Sequence, residues 1–241
     1  MINHFILFLA VTLTSSAQFR TPLERSGYTT LTTNSELVAF VRMIDSASPI
    51  ITMDTMAYSR NGKIIPYVRI STERSTMPWK KVNILIFAQQ HGNEPSGKEG
   101  ALMLLKGFAD GSLSGLLTNA NVILVPQMNP DGNDVKARRN GAGMDLNRNH
   151  LIMTEPEVIG LHDLYRKYEP DVTLDVHEYS PYGEEWKAYG YRKNSEETIG
   201  LMTNPNTDEA LRNFQHSRGV NLTRHRIRAP KGGVKARWIS Q

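Results

Sequence analysis

The sequence predicts an α/β fold: a three-layer sandwich, its central sheet mixed but mostly parallel, with helices on both faces. Three observations point there. Short apolar runs that read as buried strands stand at Val82–Ala88, Asn121–Gln127 and Asp171–Val176. Between them lie stretches of helical period, Ser96–Ala109 and Glu155–Tyr168. Strands and helices that alternate in this order build parallel pairs through crossover helices. The 241 residues, 39% hydrophobic and 22% charged, suffice for one domain with a sizeable core.

Residues 1–17 are read as a signal peptide. Phe5–Leu13 is its apolar core, and Ser15-Ser16-Ala17 supplies the small residues before a cleavage point. Ahead of the core stands His4 with no Lys or Arg. The run is too short for a bilayer and no other segment approaches that length, so no membrane span is expected. Residues 18–241 are then an exported catalytic domain, periplasmic or secreted.

Gln18–Asn34 is a polar lead-in. Ser35–Ala47 places Leu37, Val38, Val41 and Ile44 at helical spacing, with Asn34 or Ser35 as its cap. Ile50–Tyr58 and Ile64–Ile70 read as strands joined through Arg60-Asn61-Gly62. Glu73–Lys81 is a connecting loop. Pro95 suits the first position of the helix over 96–109, whose apolar side holds Ala101, Leu102, Leu104, Leu105 and Phe108. Gly111–Asn119 is a loop, and Asp134–Asn149 is irregular. Thr154, with Glu157 three residues on, offers a capping box for the helix Glu155–Tyr168. A further helix is expected over Asp208–Arg218. The basic stretch Arg224–Arg237 is read as a loop of the domain.

Net charge is +4 and the pI near 9.2, a mild basicity that gives no case for a nucleic-acid partner. There is no cysteine, which excludes disulfides and thiolate metal sites. Any metal must be held by His, Asp or Glu.

The chemistry gathers at strand ends. Val82–Ala88 runs into His91-Gly92-Asn93-Glu94, and Asp171–Val176 runs into His177. The carboxyl edge of an α/β sheet is where ligands bind. Two histidines and a carboxylate with open coordination positions form the donor set of hydrolytic zinc centres, so one zinc ion is expected on His91, Glu94 and His177. Arg138–Asn149, RRNGAGMDLNRN, adds the substrate side. A guanidinium fork and a neighbouring amide suit a carboxylate, which makes Asn147 and Arg148 a clamp. Arg138, nearer the metal, can steady an oxyanion.

Taken in order, HGNE (His91–Glu94), NPDG (Asn129–Gly132), the Arg138–Asn149 motif and a strand ending in His177 resemble the zinc carboxypeptidase family, peptidase family M14. The resemblance spans about Ile64–Tyr179. It implies an α/β sheet sandwiched by helices, and zinc on His91, Glu94 and His177. It implies oxyanion stabilisation by Arg138, and recognition of a peptide's free C-terminal carboxylate by Asn147 and Arg148. A monomer acting on peptides by metal-activated water is the expectation.

HGNE also resembles the N-acyl amino acid deacylases typified by aspartoacylase, while NPDG favours the peptidase branch. His177 is followed by Glu178-Tyr179, where many carboxypeptidases carry a small hydroxyl residue. The family's general-base glutamate belongs on a late strand. Glu184, Glu185, Glu196, Glu197 and Glu209 instead stand in polar, loop-like or helical contexts, and Tyr189 and Tyr191 are unplaced candidates for the substrate-covering tyrosine. The sequence is therefore read as a domain truncated before its last strands. A catalytically silent zinc- or peptide-binding module is the alternative.

Overall fold

The computed structural model describes residues 19–72 and 81–178, with 209, 210 and 213. The expected signal peptide, the basic stretch, most of the loop over 73–81, Tyr189, Tyr191, Glu184, Glu185, Glu196 and Glu197 lie outside the described residues. So does nearly all of the helix expected over Asp208–Arg218; Glu209 is helical and exposed.

The described order is α1 (Pro22–Arg25), α2 (Asn34–Ala47), β1 (Ile51–Tyr58), β2 (Ile64–Ile70), β3 (Val82–Ala88), α3 (Pro95–Ala109), β4 (Ala120–Val125), α4 (Pro130–Asp134), α5 (Pro156–Tyr168) and β5 (Val172–Val176). Short 3₁₀ turns sit at Ser114–Thr118 and Leu146–Arg148. The polar lead-in holds a short helix: Thr21 caps α1 and Thr33 caps α2, each in a capping box with the glutamate three residues on. Thr33 therefore takes the role expected of Asn34 or Ser35. Pro95 and Pro156 open α3 and α5, where a missing N–H costs nothing. Thr154 does not cap α5. Glu155 holds that position without a side-chain cap bond, because its carboxylate is taken by Arg60 and Asn140.

The five strands form one sheet in the order β1-β2-β4-β3-β5. β1 and β2 pair antiparallel, as a tight turn requires, and β2 pairs antiparallel with β4. β3 is parallel to both β4 and β5. The sheet is thus mixed, and its parallel part is the trio β4-β3-β5.

Alternation along the strands builds two cores. Ile86, Ala88, Val122 and Leu124 face α2 and α3, where Leu37, Phe40, Val41, Ile44, Leu102, Leu105 and Phe108 pack. Leu85, Phe87, Ile123 and Val125 face the other way, onto Leu161 and Leu164 of α5. Each such side chain contributes about 1.5–3 kcal/mol when fully buried, so helices on both faces are anchored by sheet periodicity alone. The chain leaves β3 through α3 to reach β4, then returns through α5 on the opposite face to β5 on the far side of β3. That reversal opens a crevice at the carboxyl ends of β3 and β5, the position where such sheets bind ligands.

Candidate metal centre

The turn after β3 is built by close packing. Gln89 adopts a left-handed backbone, φ 57°. Its side chain donates to the Gly92 carbonyl (3.0 Å) and accepts from Gln127 Nε2 beyond β4 (2.9 Å). A Cβ on Gly92 would stand 2.1 Å from the Gly132 carbonyl carbon, so the HGNE turn lies backbone against backbone on α4. NPDG thereby gains a structural role. Asn129 Oδ1 accepts from the Gly132 N–H (2.8 Å), while Nδ2 donates to the Gln90 and Arg138 carbonyls (3.1 and 3.3 Å).

This packing brings the three expected ligands together. Glu94 Oε1 lies 2.7 Å from His91 Nδ1, and Oε2 lies 2.9 Å from His177 Nδ1. One donor atom from each residue falls within 4.8 Å of the others. Both imidazoles are buried. Each is held from behind by a carboxylate: His91 Nε2 is 3.3 Å from Asp145 Oδ1, and His177 Nε2 is 3.0 Å from Asp175 Oδ2. That arrangement fixes both ring planes with Nδ1 turned inward and raises ligand basicity. A nitrogen–nitrogen–oxygen set with these backing carboxylates fits a zinc ion.

The electrostatics agree. Burial by itself would raise the Glu94 pKa, but hydrogen bonds from His177, His91 and the Glu178 N–H outweigh it and hold the carboxyl at about 2. Burial would lower the His177 pKa, but bonds to Asp175 and Glu94 outweigh it and raise it to about 9. The pocket is organised around a buried positive charge that a cation can supply.

The residues expected on the substrate side stand near this cluster. Arg138 Nε donates to Asp145 Oδ2 (2.9 Å), and its NH1 group is 3.9 Å from Glu94 Oε1. Arg138 is 44% exposed, so its fork borders solvent beside the three expected ligands. Asn147 Nδ2 is 3.3 Å from His177 Nε2. Arg148 is exposed and donates to the Asn147 carbonyl (3.3 Å), which puts it on the solvent side of the same turn. Asn140 shapes the loop that carries them. Its Oδ1 accepts from the Ala142 and Met144 N–H groups (3.1 and 2.9 Å), and its Nδ2 donates to Glu155 (2.7 Å).

Sequence reasoning missed Asp145 and Asp175. Asp145 was visible inside the DLNRN motif, and Asp175 stands two residues before His177, on the same face of β5. Glu178 has a structural place: its carboxylate accepts from the Ser96 N–H (3.1 Å) at the start of α3.

The sequence matches the zinc carboxypeptidase family profile over residues 37–237. It is 27% identical over 163 residues to Carboxypeptidase 2 of Trichophyton rubrum, which covers 64% of this chain and 30% of that protein. The chain thus spans less than a third of the length of such curated relatives. Among solved structures, carboxypeptidase A from Helicoverpa armigera superposes with a TM-score of 0.69 at 18% identity, covering 93% of this chain and 62% of that one. A metallo-carboxypeptidase from Burkholderia cenocepacia gives 0.60 at 23% identity, covering 76% and 48%. These two likenesses bear on the fold. The ordered motifs, the mixed sheet and the profile match over most of the sequence lead to one assignment: this chain belongs to the zinc carboxypeptidase family.

Proposed function

We propose that this chain carries the metal-binding and substrate-orienting part of a zinc carboxypeptidase that hydrolyses the C-terminal peptide bond of peptides. The observation that carries the reading is the convergence of His91, Glu94 and His177, with each imidazole backed by its own carboxylate. A zinc ion, when bound, supplies Lewis acidity and an acidified water. The chain's own residues do the rest. Asp145 and Asp175 hold the imidazoles in their ligating orientation. The Arg138 guanidinium, pinned through Nε to Asp145, keeps its remaining N–H groups for the oxyanion that develops on the scissile carbonyl. Asn147 and Arg148 bind the substrate's terminal carboxylate. We also propose export, supported by the apolar Phe5–Leu13 run and the small residues ending at Ala17. Among the described residues no helix is long and apolar enough to cross a membrane.

The test is zinc stoichiometry together with turnover. The expected result is one zinc per chain, lost in His91→Ala and Glu94→Ala, and preference for peptides with a free C-terminal carboxylate over their amides. Hydrolysis of N-acyl amino acids alone would replace this reading with a deacylase. Zinc and peptide binding without turnover would replace it with a silent module.

A further inference from the structure

We propose that Gln90 is a positioning residue for the expected metal ligand His177, acting through Asp175 as one link in a directed chain of hydrogen bonds, His162→His150→Gln90→Asp175. The inference rests on the zinc reading above and adds to it the groups that hold Asp175 in place. Asp175 Oδ1 is buried and has no hydrogen-bond partner among the described residues. Its Oδ2 accepts from two side chains, Gln90 Nε2 at 2.8 Å and His177 Nε2 at 3.0 Å. Apart from His177 itself, Gln90 is therefore what fixes the rotation of this carboxylate.

The backbone sets up the contact. β3 and β5 pair Phe87 with Asp175 and Ala88 with Val176. Gln90, two residues past β3, is fully buried, and its carbonyl accepts from Asn129 Nδ2 (3.1 Å), so its side chain reaches β5 from a fixed root. His150 is held as firmly. The preceding Asn149 accepts through Oδ1 from the Thr154 and Glu155 N–H groups (2.9 and 3.0 Å) and donates through Nδ2 to Thr154 Oγ1 (2.9 Å).

The proton positions follow from one end to the other. Asp175, as a carboxylate, only accepts, so Gln90 presents Nε2 to it. Gln90 Oε1 then faces His150 Nε2 (2.7 Å) and accepts its proton. Burial, and then the neighbouring His162, push the His150 pKa below the ordinary 6.5, so the ring is neutral at neutral pH and Nδ1 carries the lone pair. That lone pair accepts from the Nε2–H of His162 on α5, 3.1 Å away. Every bond thus points toward Asp175. Leu85, Phe87 and Leu161, which wall the cavity beside the two rings, offer no side-chain donor or acceptor that would compete. Aligned hydrogen bonds polarise one another, which strengthens the Gln90 amide as a donor to Asp175. A carboxylate fixed in this way holds the His177 proton on Nε2 and leaves Nδ1, which faces Glu94, as the ligating nitrogen.

The experiment has two arms. In the metal-free chain at neutral pH, long-range proton–nitrogen NMR spectra should show a proton on His150 Nε2 and on His162 Nε2. The signals are identified by their loss in His150→Phe and His162→Phe. A His150 proton on Nδ1 and not on Nε2 reverses the chain and overturns the proposal. In the second arm, Gln90→Met keeps the side-chain length and removes both hydrogen bonds. It should weaken zinc binding by about tenfold in chelator competition, the lower end for loss of a group behind a metal-ligating histidine. Its far-ultraviolet circular dichroism should match the wild type, while the visible absorption of Co²⁺ bound in place of zinc should shift. In an Asp175→Asn background the same substitution should change zinc affinity by less than about twofold, because the two residues act in series. An equal loss in both backgrounds overturns the proposal and leaves the proposed function standing, as does a Gln90→Met chain with wild-type zinc affinity and an unshifted Co²⁺ spectrum. A wild-type chain that takes up no zinc defeats both.

Discussion

Gly92→Ala tests whether the metal turn is built by backbone contact. The added Cβ would lie 2.1 Å from the Gly132 carbonyl carbon, 2.4 Å from the Asn133 nitrogen and 2.5 Å from the Ala137 oxygen. Every one of these is a backbone atom, so no rotamer change relieves the overlap; α4 and the HGNE turn must separate by more than 1 Å. Overpacking that side chains can absorb costs about 1–3 kcal/mol, and this site should reach or exceed the upper end, about 3 kcal/mol. For a chain of this size that is about 6–12 °C in Tm. The same separation breaks the Gly92 N–H to Arg138 carbonyl bond (3.3 Å) and moves His91 away from Glu94. Zinc affinity should therefore fall together with stability, by about tenfold or more, as for loss of a backing residue. Gly143→Ala is the control. Its φ is +75° but nothing lies within 4 Å of the new Cβ. It should cost about 1 kcal/mol and leave zinc binding unchanged. The assays are thermal unfolding by circular dichroism and competition for zinc with a chromophoric chelator. A Gly92→Ala protein that melts within about 2 °C of wild type and binds zinc equally well would refute the reasoning.

Three further outcomes are expected. Asp145→Asn should weaken zinc binding by about 10–100-fold in chelator competition, because His91 loses the carboxylate behind it. Zinc at about 100 times its Kd should stabilise the folded chain by about 2.7 kcal/mol, a Tm rise that EDTA reverses and that His177→Ala abolishes. Glu157→Gln probes a buried acid. Burial raises the Glu157 pKa above 4.5, against hydrogen bonds from its own N–H, Asn140 and Arg60 and with help from the Glu155 charge. As pH rises from 4.5, the unfolded chain therefore ionises before the folded one, and stability is lost. The variant should gain in Tm relative to wild type between pH 4 and 7; parallel pH curves would contradict this.

The convergence of the three expected ligands was legible because His91, Glu94 and His177 follow strong apolar runs, and strand ends are fixed by the core. β2 and β3 came out of the sequence with their bounds intact for the same reason: Ile64–Ile70 and Val82–Ala88 are continuous and sharply flanked. The antiparallel neighbour on β4 was not legible, since pairing order depends on contacts across the whole sheet. Asp145 and Asp175 were missed because their roles depend on which ring nitrogen points inward. Thr154 was misread because the capping pattern is local, whereas Arg60, 95 residues before Glu155, claims the Glu155 carboxylate through the fold. NPDG was noticed as a motif, but its purpose, a glycine seat for Gly92, needs two backbones in contact.

The parallel pairing of β3 with β5 has a consequence for chain topology. Ala88 stands beside Val176, so residues 86 positions apart, His91 and His177, emerge side by side. An ion bridging them acts as a cross-link that closes a long loop, as a disulfide does in a chain with no cysteine. In the unfolded ensemble a covalent closure of that length is worth about 4–5 kcal/mol. β5 is five residues long and pairs, among the described strands, with β3 alone. Metal occupancy therefore rivets this strand to the sheet, and amide exchange along Val172–Val176 becomes a direct reading of whether the rivet is in place.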